Sequence, residues 1–133
     1  MTVRLIHHVG VAVADLDESI RLYESVFGAE VVHRARSEHE GLEAALVRLG
    51  SGEVELMSPM RADSPVGKFL AKRGPGLHHV AYAVDDIRAS LAEAKAAGIE
   101  LIDEEPRVGL HGREIAFLHP KSMGGVLTEL VEA

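Results

Sequence analysis

Two histidines and two glutamates carry the strongest chemical signal in this 133-residue chain. His8 and His79 sit in closely similar strings, LIHHVGVAVADL over 5–16 and GLHHVAYAVDDI over 76–87. Glu55 and Glu129 sit in a second matched pair, Val54-Glu55-Leu56-Met57 and Thr128-Glu129-Leu130-Val131. The histidines are offset by 71 residues and the glutamates by 74, so the second copy holds about three extra loop residues. A repeat this long, in two copies, is a duplicated module and not a solenoid unit. Pairing of the halves about a two-fold axis would bring all four side chains to one point. Two imidazoles and two carboxylates without a thiolate suit Co2+, Mn2+, Ni2+, Zn2+ or Fe2+, and leave two positions of an octahedral shell for other ligands. Taken singly, each of the four would be read as a packed or surface residue. Matched placement in both copies is what favours a metal.

The elements that must position these residues follow from periodicity. Residues 4–13 alternate and are rich in Val, which predicts a strand. Leu5, His7, Val9, Val11 and Val13 share one face, while Ile6, His8, Gly10 and Ala12 share the other. The bulky face is the one to pack under a helix, and the small one suits a pocket wall. Strand 77–84 repeats this, with His79, Ala81 and Ala83 on the small face. His7 and His78 therefore read as structural or supporting residues. Asp15 supplies a helix N-cap with Glu18 three residues on, and Leu16, Ile20, Tyr23 and Phe27 recur at helical spacing before Gly28. Strands are expected near 29–36, 42–49 and 53–58. The second half repeats the order: a helix over 86–97 ending at Gly98, then strands near 99–103, 113–118 and 125–131. Between the halves, Val66–Lys72 predicts a short helix in a connection, not a domain linker. The expected fold is α+β: two tandem βαβββ modules (about 4–58 and 76–131) in one domain over 1–133, forming a curved mixed sheet around a metal site.

Composition removes several alternatives. Apolar residues at 47% and charged residues at 26% fit a globular chain. The absence of cysteine excludes disulfides, thiolate metal sites and cysteine nucleophiles. A formal charge of −7 disfavours nucleic acid or an anionic membrane as partner. No apolar run approaches membrane-spanning length, and the strand pattern begins at once after Met1-Thr2-Val3-Arg4, so a cytoplasmic location is expected.

The duplicated βαβββ unit with His8, Glu55, His79 and Glu129 resembles the vicinal-oxygen-chelate superfamily, whose glyoxalase-like fold hosts glyoxalase I, extradiol dioxygenases, fosfomycin-resistance proteins and methylmalonyl-CoA epimerases. Within it, the strings Ile6–Val13, Gly76–Ala81 and His119-Pro120-Lys121-Ser122 running into Gly125–Leu130 are most similar to the epimerases. One departure exists. The family's Glu-Gln-Gly-Val stretch before the third strand reads Glu38-His39-Glu40-Gly41-Leu42 here, with the following Glu-Ala retained as Glu43-Ala44.

The resemblance implies a divalent metal (Co2+ first, with Mn2+, Ni2+, Zn2+ or Mg2+ as substitutes), an acyl-CoA substrate and a homodimer. It implies two acid/base carboxylates: Glu129, also a ligand, and Glu43, on the strand face that carries Ala45 and Val47. Lys121 and Ser122 become the expected CoA contacts, with Arg113, Arg107, Lys72 and Arg73 as further cations for its phosphates. Three rivals share the fold. A glyoxalase I-type isomerase would use the same ligands. An extradiol dioxygenase needs only two histidines and one carboxylate for Fe2+. A non-catalytic binding module need not keep the quartet at all.

Overall fold

A computed structural model describes all of residues 1–133. Each half has the order β-α-β-β-β. The first contains β1 (Val3–Ala12), α1 (Leu16–Phe27), β2 (Glu30–Ser37), β3 (Leu42–Leu49) and β4 (Gly52–Pro59). The second contains β5 (Gly76–Val84), α3 (Ile87–Ala96), β6 (Arg107–Val108), β7 (Glu114–Leu118) and β8 (Thr128–Glu132). The predicted connecting helix is α2 (Pro65–Arg73).

The chain divides into two compact units, Val9–His78 and Met1–His8 with His79–Ala133. β1 is thus shared, its first residues counting with the second half of the sequence. Arg4 donates to the Ala133 carbonyl at 2.5 Å, and the N-terminal ammonium meets Glu93 at 2.7 Å.

In the Val9–His78 unit the strand order is β2-β3-β4-β1. β3 runs antiparallel to both β2 and β4, and β1 runs parallel to β4. Val13, Leu16, Ile20, Ala29, Ala45, Val47 and Leu56 form its core. α1 begins where Asp15 accepts the Glu18 amide at 3.0 Å, a cap worth about 1 kcal/mol. It ends at Gly28, whose φ of 65° is the left-handed stop the sequence called for.

In the other unit the order is β5-β8-β7-β6, with β5 and β8 parallel and β7 antiparallel to β8 and β6. Val84, Ile87, Leu91, Ala94, Ala116, Leu118 and Leu130 form the core under α3. Asp86, the repeat partner of Asp15, caps α3 by accepting the Ala89 amide at 3.0 Å.

The strand expected near 99–103 is not formed; the paired strand lies later, at Arg107–Val108. Leu101 makes only an isolated bridge with Leu118. The amides of Ile102 and Asp103 both donate to the one carbonyl of Phe117. Two successive donors on one acceptor cannot continue a ladder, in which successive amides point to opposite sides. The strand expected over 125–131 begins only at Thr128, because Gly124 and Gly125 take positive φ in the preceding turn.

Candidate metal centre

His8, His79 and Glu129 meet. One ligand atom from each lies within 4.8 Å of the other two, and all three residues are buried. His8 Nε2 stands 3.2 Å from His79 Nε2. Glu129 reaches His79 Nε2 at 3.3 Å and His8 Nε2 at 3.7 Å. Two donors each about 2.1 Å from one ion stand about 3.0 Å apart at a right angle and about 3.4 Å apart at the tetrahedral angle. The two shorter separations fall in that range, and the third needs a wider angle. Nitrogen and carboxylate donors fit a first-row divalent ion, so this donor set suits the group the sequence implied.

Strand alternation puts the three there. On β5, Tyr82 and Val84 go to the α3 core while His79, Ala81 and Ala83 take the other face. On β8, Thr128 and Leu130 flank Glu129, with Leu130 in the core. Glu129 pairs in register with Ala81. In the other unit Glu55 pairs in register with Gly10. Gly10 and Ala81 are themselves repeat partners, each two residues beyond a histidine of the quartet. The duplication read in the sequence is thus also a duplication of register. Glu55 is buried at 8% exposure, on the sheet face away from the α1 core, and it is not one of the three gathered atoms.

Glu43 requires a correction. Its register partner is Ser58, and the next pair along the same face is Ala45 with Leu56, both in the core under α1. Glu43 therefore lies on the α1 side of β3, the face opposite Glu55. Its carboxylate accepts from Arg34 Nε at 3.1 Å, and the same guanidinium holds Asp17 of α1 at 2.8 Å. The Glu43 hydrogen bond, seconded by Asp17, raises the Arg34 pKa above its ordinary value. Glu43 is a tether between β2, β3 and α1, and the geometry does not support it as an acid/base beside Glu55.

Sequence reading missed Phe117. It pairs in register with Glu129 and turns its ring edge-on to His79, centroids 5.5 Å apart. The signal was available: within Ile115-Ala116-Phe117-Leu118, alternation separates Phe117 from the core residues Ala116 and Leu118. Arg107 lies 5.8 Å over the Phe117 ring. Asp103 ties the two together, meeting Arg107 at 3.5 Å and accepting the Phe117 amide at 2.8 Å.

Lys121 and Ser122 lie in the 3-10 turn Pro120–Ser122. Ser122 Oγ accepts the Glu100 amide at 2.9 Å, and the Lys121 amide donates to His119 Nδ1 at 3.0 Å. The Ser122 hydroxyl thus ties its turn to the backbone at Glu100, while Lys121 is exposed. Of the other cations, Arg73 lies 5.8 Å over Phe69, whose ring also meets His78 at 4.9 Å.

The family model of the Glyoxalase/Bleomycin resistance protein/Dioxygenase superfamily matches residues 7–117. The chain belongs to that superfamily. It is 40% identical over 129 residues to the mitochondrial methylmalonyl-CoA epimerase of Bos taurus, covering 96% of this chain and 74% of that one. It is 36% identical to an ethylmalonyl-CoA/methylmalonyl-CoA epimerase of Cereibacter sphaeroides, covering 94% and 95%. A variant of Streptomyces coelicolor methylmalonyl-CoA epimerase, in complex with 2-nitronate-propionyl-CoA, superposes with a TM-score of 0.94 at 39% identity, covering 99% of each chain. No helix is long and apolar enough to cross a membrane.

Proposed function

We propose that this chain interconverts the (2R) and (2S) forms of methylmalonyl-CoA by removing and returning the C2 proton. The observation that carries the reading is the buried His8–His79–Glu129 group, in a chain 40% and 36% identical to the two thioester epimerases named above. The C2 hydrogen lies between a thioester and a carboxylate. Its loss leaves an enolate, with charge on the thioester oxygen. A divalent cation bound to His8, His79 and Glu129 would supply Lewis-acid stabilisation of that charge. Glu55 is the proposed fourth ligand, because it holds in the first copy the place Glu129 holds in the second. Co2+ is the first choice of ion.

Glu129 is the proposed proton carrier. A carboxylate oxygen takes the C2 proton as the C–H electron pair passes into the enolate, and the resulting acid gives the proton up to solvent. A proton delivered from solvent to the opposite face of the enolate carbon, whose electron pair forms the new C–H bond, completes inversion. Glu43, committed to Arg34 on the α1 side, is no longer the second carrier. Phe117 packs edge-on against His79 and so helps to hold that ring in place. Lys121 is the proposed cation for the CoA phosphates, with Ser122 shaping its loop. A homodimer acting in the cytoplasm completes the reading. The glyoxalase I-type alternative would use the same ligands, but the relatives compared above are epimerases.

Proton NMR of methylmalonyl-CoA in D2O tests the proposal. Co2+-loaded protein should erase the C2 proton signal faster than the blank, and EDTA should stop the loss. Absence of exchange under both conditions would overturn it.

A further inference from the structure

His7 and His8 are neighbours on a strand, where successive side chains leave on opposite faces. Their rings nevertheless converge: His7 Nδ1 stands 2.8 Å from His8 Nδ1, with ring planes 77° apart. At that separation one nitrogen donates and the other accepts. A neutral imidazole has one of each, so the direction of this bond fixes the proton on all four ring nitrogens.

The other end of His8 decides the direction. His8 Nε2 is the nitrogen that faces His79 Nε2 and Glu129. To offer a lone pair to a cation there, Nε2 must carry no proton. The ring proton is then on Nδ1, and it points at His7 Nδ1. His7 must accept it and keep its own proton on Nε2. The opposite arrangement, His7 Nδ1–H donating to His8, would move the His8 proton to Nε2 and close that nitrogen to a cation. Metal-ligating histidines commonly have their tautomer set by a partner at the other ring nitrogen. Here the partner is the preceding residue of the same strand. It costs no separate element to hold, and the burial of His8 keeps water from competing.

We infer that His7 is a positioning residue for the metal centre: its Nδ1 accepts the His8 Nδ1 proton and locks His8 in the tautomer whose Nε2 lone pair faces His79 and Glu129. The inference rests on the metal reading for its purpose, but the tautomer can be measured without any metal.

The first measurement is long-range proton–nitrogen NMR of the metal-free, nitrogen-15-labelled protein in mildly alkaline buffer. His8 should appear as the Nδ1–H tautomer and His7 as the Nε2–H tautomer. His8 found as Nε2–H would overturn the inference with no variant needed. The second measurement is Co2+ affinity by calorimetry. His7→Leu removes the acceptor and should weaken Co2+ binding about 10–100-fold, the usual cost of losing such a partner. His7→Gln retains an acceptor oxygen and should recover part of the loss. Unchanged affinity and unchanged His8 tautomer in His7→Leu would overturn the inference. Should the unaltered protein bind no Co2+ while His8 is still Nδ1–H, the metal reading fails and the positioning contact stands. If His7→Leu does not fold, the unaltered protein's tautomers and His7→Gln decide the matter.

Discussion

Glu43 and Glu55 stand on opposite faces of one antiparallel strand pair. Glu43 shares its face with Ser58, Ala45 and Leu56, and Glu55 shares its face with Leu46. The carboxylate of Glu43 is held by Arg34, whereas Glu55 is buried on the side away from α1. A backbone layer separates two acids that the sequence had assigned to one site.

Glu43→Gln should therefore leave C2 proton exchange at the same order of magnitude as the unaltered protein. Removal of a true proton carrier would instead cost about 10²–10⁴-fold. The ion pair it breaks is partly exposed on both sides, so the stability loss should stay within about 1 kcal/mol. A collapse of exchange in a folded Glu43→Gln protein would restore Glu43 to the mechanism.

Glu129→Gln touches both roles of that residue. Exchange should fall by about 10²–10⁴-fold through loss of the carrier, and Co2+ affinity should drop because a carboxylate ligand becomes a neutral amide. Calorimetry and the D2O exchange assay read the two separately. Full exchange in Glu129→Gln would remove it from the chemistry.

Metal should also stabilise the fold. A cation at 100 times its Kd that binds only the folded chain adds about 2.7 kcal/mol. Denaturation with and without EDTA should show that gap, and it should close in His79→Ala. An EDTA-insensitive melt for the unaltered protein would argue that the cluster binds no ion.

Gly67 offers a test of the packing at the start of α2. A Cβ there would meet the Ala62 carbonyl oxygen at 2.6 Å and the Arg61 carbonyl oxygen at 2.7 Å. Backbone oxygens cannot rotate aside, and the same turn is pinned by the Gly67 amide on Ser64 Oγ at 3.0 Å. Gly67→Ala should destabilise by about 1–3 kcal/mol, read as a lower urea midpoint with an unchanged slope. A midpoint equal to that of the unaltered protein would show that α2 can shift to accept the methyl.

Much of the fold was legible in the sequence, because it is set locally and written twice. Asp15 and Asp86 cap their helices as expected, and Gly28 stops α1. β3 was expected at the residues where it occurs. The histidines were placed on the small face because β1 and β5 alternate large with small. β3 gives no such cue. Ala44, Ala45, Leu46 and Val47 are all buried, and a strand buried on both faces hides which side holds the helix. With period-two alternation, the wrong side sends every residue to the opposite face. The retained Glu43-Ala44 pair of the resemblance therefore meets no contrary signal in the β3 pattern, although the structure turns Glu43 to the α1 side.

By itself the sequence determined the duplication, the element order and the pairing of His8 with His79 and of Glu55 with Glu129, since all of these rest on local pattern and repeat spacing. Only the tertiary structure decided that His8, His79 and Glu129 close to within a few ångströms, that Phe117 backs His79 and that His7 reaches round to His8. These depend on register between strands far apart in the chain and on side-chain rotation about each strand. No local pattern of residues encodes either.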